Sequence, residues 1–193
     1  MTAASAASLT GHGVFLEVEG LGIYLRGASG VGKSELGLEL VSRGHKLIAD
    51  DAIEFIRADS SVVGRCPALL EGFIEVRGLG ILNVRRVFGD AAVVPSAALD
   101  LIIDLGVRGD PTPDERLYGR RGRSLMLGIA IDEISLPRRV GHNLAVLVEA
   151  ACRDHRLRQA GYNACDDLVA RQARAMQHAA ETPHQTDTSS EHT

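Results

Sequence analysis

The chain has 193 residues, 45% of them hydrophobic, enough for one domain with one core, and 25 acidic against 21 basic side chains leave a formal charge of -4. That balance excludes a nucleic-acid binder that relies on phosphate neutralisation, and the short, charge-interrupted aliphatic runs exclude a membrane span. Met1 to Ser8 lacks the basic-then-apolar order of a signal peptide, so a cytoplasmic protein is expected.

Residues 1–10 are small and polar and read as a flexible N-terminus; the folded domain is expected over 11–177, with a disordered tail over 178–193. Val14 to Val18 and Gly22 to Arg26 read as strands joined by Glu19-Gly20-Leu21, a hairpin that feeds the segment Gly27-Ala28-Ser29-Gly30-Val31-Gly32-Lys33-Ser34. That octapeptide is a complete phosphate-binding P-loop, set between a strand and a helical run, Ser34 to Ser42. Its glycines turn backbone N–H groups inward around phosphate oxygens, and the helix N-terminus adds its dipole. Lys33 is expected to reach the β/γ-phosphates of a nucleoside triphosphate and the Ser34 hydroxyl to ligate Mg2+.

Lys46 to Ala49 is predicted as the next strand, ending in Asp50 and Asp51. If it lies beside the P-loop strand, it delivers a carboxylate to the γ-phosphate, to orient Mg2+ or to accept a hydroxyl proton. Adjacent residues of an extended chain point to opposite sides, so only one of the two acids is expected to face the phosphate; a solvated turn explains the pair as the alternative. Ile53 to Arg57, Ser61 to Gly64, Phe73 to Val76 and Leu99 to Leu105 are further strand candidates, the last with Asp100 and Asp104 on one face. Glu75, in Ile74-Glu75-Val76-Arg77-Gly78-Leu79-Gly80-Ile81-Leu82-Asn83, suits a metal-associated carboxylate at a loop close to a ligand, though a plain strand-to-turn stretch accounts for it equally.

The charge-dense run from Asp114 to Arg123 reads first as a solvated loop after Pro111 and Pro113, with an arginine finger as the sharper alternative. His12, between two glycines, reads as a surface histidine. Helices are expected over Asn143 to Gln159 and Asp166 to Gln177, separated by Gly161-Tyr162-Asn163. Cys66, Cys152 and Cys165 form no CxxC pair and read as buried filler rather than a disulfide framework or zinc site. Strands in the front and middle, with helices after the P-loop and at the end, make the fold class α/β.

His12-Gly13-Val14, the P-loop through Glu35, Arg43 to Asp51, the Glu75 decapeptide, Glu115-Arg116-Leu117, Pro137 to Val146, and Arg156-Leu157 with Gly161 to Ala164 together resemble the catalytic domain of bacterial HPr kinase/phosphorylase. The resemblance implies a P-loop kinase-like fold with a central mixed sheet, similar to nucleotide-dependent carboxykinases. It makes ATP and Mg2+ the cofactors, Lys33 and Ser34 their ligands, and Glu75 a second Mg2+-associated carboxylate. Asp51 becomes the proton acceptor in phosphorylation and the donor in the reverse direction, with Asp50 beside it, and His12 and Arg116 become active-site residues against their bland readings above. The implied reaction moves the γ-phosphate of ATP, or a phosphate of pyrophosphate in some members, to a serine of HPr, a carrier protein of the sugar phosphotransferase system. The reverse, phosphorolysis, releases pyrophosphate, and the resemblance also implies a homohexamer.

Two departures bear on this. The match starts at His12, so the chain is expected to be the short form without the N-terminal domain of longer members. In Pro137-Arg138-Arg139-Val140-Gly141-His142, which the family ties to dephosphorylation, His142 replaces a usual arginine and offers no fixed bidentate fork; Tyr118 replaces a usual glycine. The expectation is an ATP- and Mg2+-dependent serine-directed protein kinase of HPr, with a non-catalytic ATP-sensing module, or a kinase of another protein or small metabolite, as alternatives.

Overall fold

The computed structural model describes residues 7–106, 109, 111–137 and 143–181. Contacts divide the chain into two compact units, the first ending at Arg156 and the second beginning at Leu157. In chain order the first unit opens with β1 (Ser8–Val18), β2 (Leu21–Gly27), the P-loop, α1 (Lys33–Ser42), β3 (Lys46–Ala58) and β4 (Ser61–Arg65). A small hairpin of β5 (Phe73–Val76) and β6 (Gly80–Asn83) follows, then α2 (Val84–Phe88), a 3-10 turn, β7 (Ser96–Ala98) and β8 (Leu101–Leu105). The chain continues through α3 (Pro113–Tyr118), β9 (Arg120–Met126), β10 (Ile129–Leu136), α4 (Leu144–Gln159) and α5 (Ala164–Glu181).

Eight strands form one mixed sheet in the order β7-β4-β3-β1-β2-β8-β10-β9, and β5-β6 pair separately. The β2–β8 and β8–β10 pairs are parallel, whereas β1 is antiparallel to both β2 and β3, and β9 is antiparallel to β10. Alternation along β1 sends Val14, Leu16 and Val18 into a core shared with Leu36 and Leu40 of α1 and Val148 of α4, and sends Phe15 to the other face. There Phe15, Tyr24 and Phe55 stack, with ring centroids 5.6 Å and 5.1 Å apart around Phe55. β8 is buried on both faces at Leu101, Ile102 and Ile103, which is why its apolar run is nearly continuous.

The structure departs from the sequence expectations at several elements. Ser8 to Thr10 are strand, paired with Ile56 to Glu54, so the first strand starts earlier than Gly11. Lys46 to Ala58 is one strand running straight through Asp50 and Asp51, not two strands broken at the acids. The charged run after Pro113 is a helix and an edge strand, because Thr112 and Glu115 form a reciprocal capping box with Pro113 at the first helical position. α4 starts behind Asn143, whose side chain accepts from the Val146 N–H at 3.1 Å. In the second unit Asn163 accepts from the Cys165 N–H at 3.0 Å, and α5 extends to Glu181, four residues beyond the expected limit of 177. Cys66 and Cys152 are buried as expected, and Cys165 is half-buried. Arg138 to His142 lie outside the described residues.

Candidate active site

The P-loop follows β2, and its position is fixed from below. Arg26, the penultimate residue of β2, is held by Asp104 of β8 at 3.1 Å and Glu133 of β10 at 2.7 Å. α1 then begins at Lys33 with Gly32 as its N-cap, at φ 91°, and no side chain occupies the cap. The first N–H groups of α1 are therefore left for an anion. Lys33 folds back on the loop, its Nζ donating to the carbonyls of Gly27 at 3.0 Å and Ala28 at 3.2 Å.

The cleft above this loop has a volume of about 180 Å3 and is lined by P-loop residues together with Gly13, Glu35, Asp50, Asp51, Glu75 and Arg77. The acids do not come from the strand next to the P-loop strand, as the sequence suggested. β1 lies between β2 and β3, and at Gly13, in register with Asp51, it carries no side chain. A Cβ there would sit 2.2 Å from the Leu25 carbonyl oxygen, so the strand must be bare where the cleft opens across it.

Both acids line the same cleft, against the expectation that only one would. Ala49, Ile53 and Phe55 pack on the aromatic face of the sheet, and strict alternation would put Asp51 with them. Asp51 instead has φ 64°, a left-handed conformation that breaks the alternation and turns it to the cleft side. The two carboxylates then differ in environment. Asp50 is 7% exposed; its Oδ1 accepts from the Ser34 hydroxyl at 2.9 Å and its Oδ2 from the Glu75 backbone N–H at 2.9 Å. Burial pushes its carboxyl above the usual range and the Asp51 charge adds to this, while the two hydrogen bonds pull the other way. Asp51 is exposed, and its carboxylate has no partner among the described residues.

Glu75 is brought in by β5, where Phe73 and Glu75 point outward and Ile74 and Val76 into the core, with exposed Arg77 next in that outward series just past the strand. Arg77 and Gly13 were not singled out from the sequence, and both line the cleft. The outward alternation through Glu75 was the available signal for Arg77. His12 and Arg116 are not brought in: each is exposed, neither lines the cleft, and Arg116 sits on α3. Tyr118 ends that same helix.

A larger cavity, about 380 Å3, lies in the same unit among α3, β9, β10 and α4, walled mainly by aliphatic side chains such as Ile134, Leu136 and Leu147. The chemistry is assigned to the smaller cleft, where the P-loop, a hydroxyl and the carboxylates converge. Among the described residues no group of three or more His, Cys, Asp or Glu side chains is placed to hold a metal alone, and no helix is long and apolar enough to cross a membrane.

Residues 3–172 match the family model described as the HPr Serine kinase C-terminal domain. A curated relative named HPr kinase/phosphorylase from Azoarcus sp. (strain BH72) is 45% identical over 174 residues, which cover 89% of this chain and 55% of that protein. The protein of the same name from Cupriavidus metallidurans is 47% identical over 174 residues, covering 90% and 54%. The chain thus spans about half the length of the curated relatives it matches. The solved structure of the Hpr(Ser) kinase/phosphatase from Coxiella burnetii superposes with a TM-score of 0.76 at 35% identity, covering 83% of this chain and 98% of that one. The fold is accordingly the P-loop kinase-like fold of that protein.

Proposed function

The chain belongs to the HPr serine kinase C-terminal domain family, and on that premise we propose that it phosphorylates a serine of HPr with Mg2+-bound ATP and catalyses the reverse phosphorolysis at the same cleft. The observation that carries the reading is the division of labour between neighbouring acids: Asp50 is buried and engaged by Ser34 and Glu75, and Asp51 faces the same cleft with its carboxylate unengaged.

The donors present fit Mg2+·ATP. A hydroxyl and a carboxylate lie 2.9 Å apart at the start of α1, and Asp50 has no cationic partner among the described residues, the setting in which Mg2+ is held by one or two protein oxygens plus phosphates. When bound, the metal neutralises and polarises the phosphates. Ser34 and Asp50 would hold it, with Glu75 alongside. Lys33 leaves the Gly27 and Ala28 carbonyls for the β/γ-phosphates, and the N–H groups of α1 take the remaining oxygens.

Asp51 accepts the proton of the serine hydroxyl as that oxygen attacks the γ-phosphorus and ADP departs. In the reverse direction inorganic phosphate attacks the phosphoserine, Asp51 returns its proton to the serine oxygen, and pyrophosphate is released. His12 and Arg116 enter this reading through the family resemblance alone. So does a homohexameric assembly, whereas a cytoplasmic location and independence of nucleic acid and membranes rest on the charge balance, the short aliphatic runs and the N-terminal composition.

The test is incubation of the purified chain with γ-labelled ATP, Mg2+ and HPr, followed by mapping of the label. Label on one HPr serine, lost with Lys33→Ala, is the expected result. No label on HPr, or label on another acceptor only, overturns the assignment.

A further inference from the structure

We propose that Arg77 is a second phosphate-binding cation of the cleft, its guanidinium closing over the P-loop from the β5–β6 hairpin to contact the terminal phosphates of the bound nucleotide. The inference rests on the phosphate-binding reading above and adds to it a residue that the P-loop motif does not contain.

Three observations converge on it. The first is position: a Cβ built on Gly30 would lie 3.3 Å from Arg77 Nη2, so the guanidinium already hangs over the loop that cradles phosphate. The second is charge. Four carboxylates line the cleft, those of Glu35, Asp50, Asp51 and Glu75, against two cations, Lys33 and Arg77. A site for a polyanion that starts with this acidic excess needs every cation it has. The third is that Arg77 has no hydrogen-bond or ion-pair partner among the described residues, although it shares the cleft with four carboxylates. An arginine serving only to hold the fold would be paired, as Arg26, Arg43 and Arg85 are.

The local backbone explains how it gets there. β5 ends at Val76, and Val76 pairs with Gly80, so Arg77-Gly78-Leu79 is the hairpin tip, closed by the Leu79 N–H on the Val76 carbonyl at 3.0 Å. Gly78 takes φ 88°, and a Cβ there would meet nothing within 4 Å, so glycine is required for the turn and not for space. The turn aims the first tip residue at the P-loop, and arginine supplies a planar fork that can bind two phosphate oxygens at once.

The experiment is titration of the full chain, with Mg2+ present and at fixed ionic strength, by ATP, ADP, pyrophosphate and adenosine, using calorimetry on wild type, Arg77→Gln, Arg77→Lys and Lys33→Ala. Arg77→Gln is expected to weaken ATP and pyrophosphate about 10-fold or more, in keeping with loss of a charge-assisted contact. ADP should weaken less, and adenosine should be unaffected. Arg77→Lys should recover part of the loss, and circular dichroism melting of both Arg77 variants should match wild type, since the side chain holds nothing in the fold. ATP and pyrophosphate affinities unchanged in Arg77→Gln, with Lys33→Ala impaired, overturn the proposal and leave the P-loop reading standing. Failure of wild type to bind ATP or pyrophosphate overturns both.

Discussion

At the residue scale, the cleft works through contrasts between near neighbours. Lys33 opens α1 at the end of the P-loop, and among the described residues its Nζ makes two hydrogen bonds, both to loop carbonyls. Lys33→Ala should therefore lower phosphoryl transfer about 100-fold or more with little change in melting temperature, read from initial rates and a thermal scan of the same preparation. His142 stands at a position where the family resemblance expects arginine. His142→Arg should raise phosphorolysis of phosphoserine-HPr, followed by pyrophosphate release, with the kinase direction little altered; an unchanged or lower rate removes this position from the explanation. The P-loop was fully legible in the sequence because every residue it needs is local. Asp50 and Asp51 were legible as an acidic pair, but the spacing did not show that both face the cleft. That placement depends on a left-handed φ at a non-glycine residue, which no residue type announces. Arg77 was passed over because its value comes from a hairpin tip approaching a loop more than forty positions upstream.

At the element scale, the strands depend on glycines in two opposite ways. Gly64 in β4 faces the aromatic cluster: a Cβ there would be 2.5 Å from the Phe15 ring and 2.9 Å from Phe55. Replacing glycine by alanine ordinarily stabilises a strand by restricting the unfolded chain, but here the overlap dominates. Gly64→Ala should cost about 1–3 kcal/mol by urea denaturation. Gly122 in β9 would bring its Cβ into open space at an ordinary φ, so Gly122→Ala should be neutral or slightly stabilising in the same assay. Equal effects at the two sites would mean that the packing around Phe15 is looser than described. The amphipathic α4 and the apolar run of β8 were legible; α3, β9 and β10 were not, although the Thr112-to-Glu115 spacing after Pro111 was a readable helix start. Charge density masked it.

At the scale of the whole molecule, sheet order decides what meets the phosphate. The sequence indicated α/β and a hairpin into the P-loop, both present, but put Asp50 and Asp51 on a strand next to β2. Strand order is set by non-local pairing that local patterns do not encode, and here β1 intervenes, bridged at Gly13. The α1-to-α4 side of the sheet is tied by Glu149, which accepts from Arg43 at 2.7 Å and contacts His45 at 3.0 Å. The Arg43 guanidinium chiefly, with His45, holds the Glu149 carboxyl down at about 2. A carboxylate with a depressed folded-state pKa lends stability above its unfolded pKa, near 4.5, and loses it as pH falls toward about 2. Glu149→Gln should flatten the loss of stability across that acid range relative to wild type, measured by denaturation at stepped pH. His155, buried on α4, has its pKa lowered chiefly by burial, so it should withdraw stability as pH falls below the ordinary histidine value of 6.5.

The division of labour between the two neighbouring acids is tested most directly by measuring single-turnover phosphoryl transfer to HPr alongside Mg2+-dependent ATP affinity in Asp51→Asn and Asp50→Asn. Asp51→Asn should bind ATP as wild type does and lose transfer by about 100-fold or more, as removal of a general base requires. Asp50→Asn should instead weaken Mg2+-dependent ATP binding, because its carboxylate holds Ser34 and Glu75 at the metal-binding end of the cleft. Loss of ATP binding in Asp51→Asn, or near-native transfer by that variant at saturating ATP, would contradict the assignment of Asp51 as the proton acceptor.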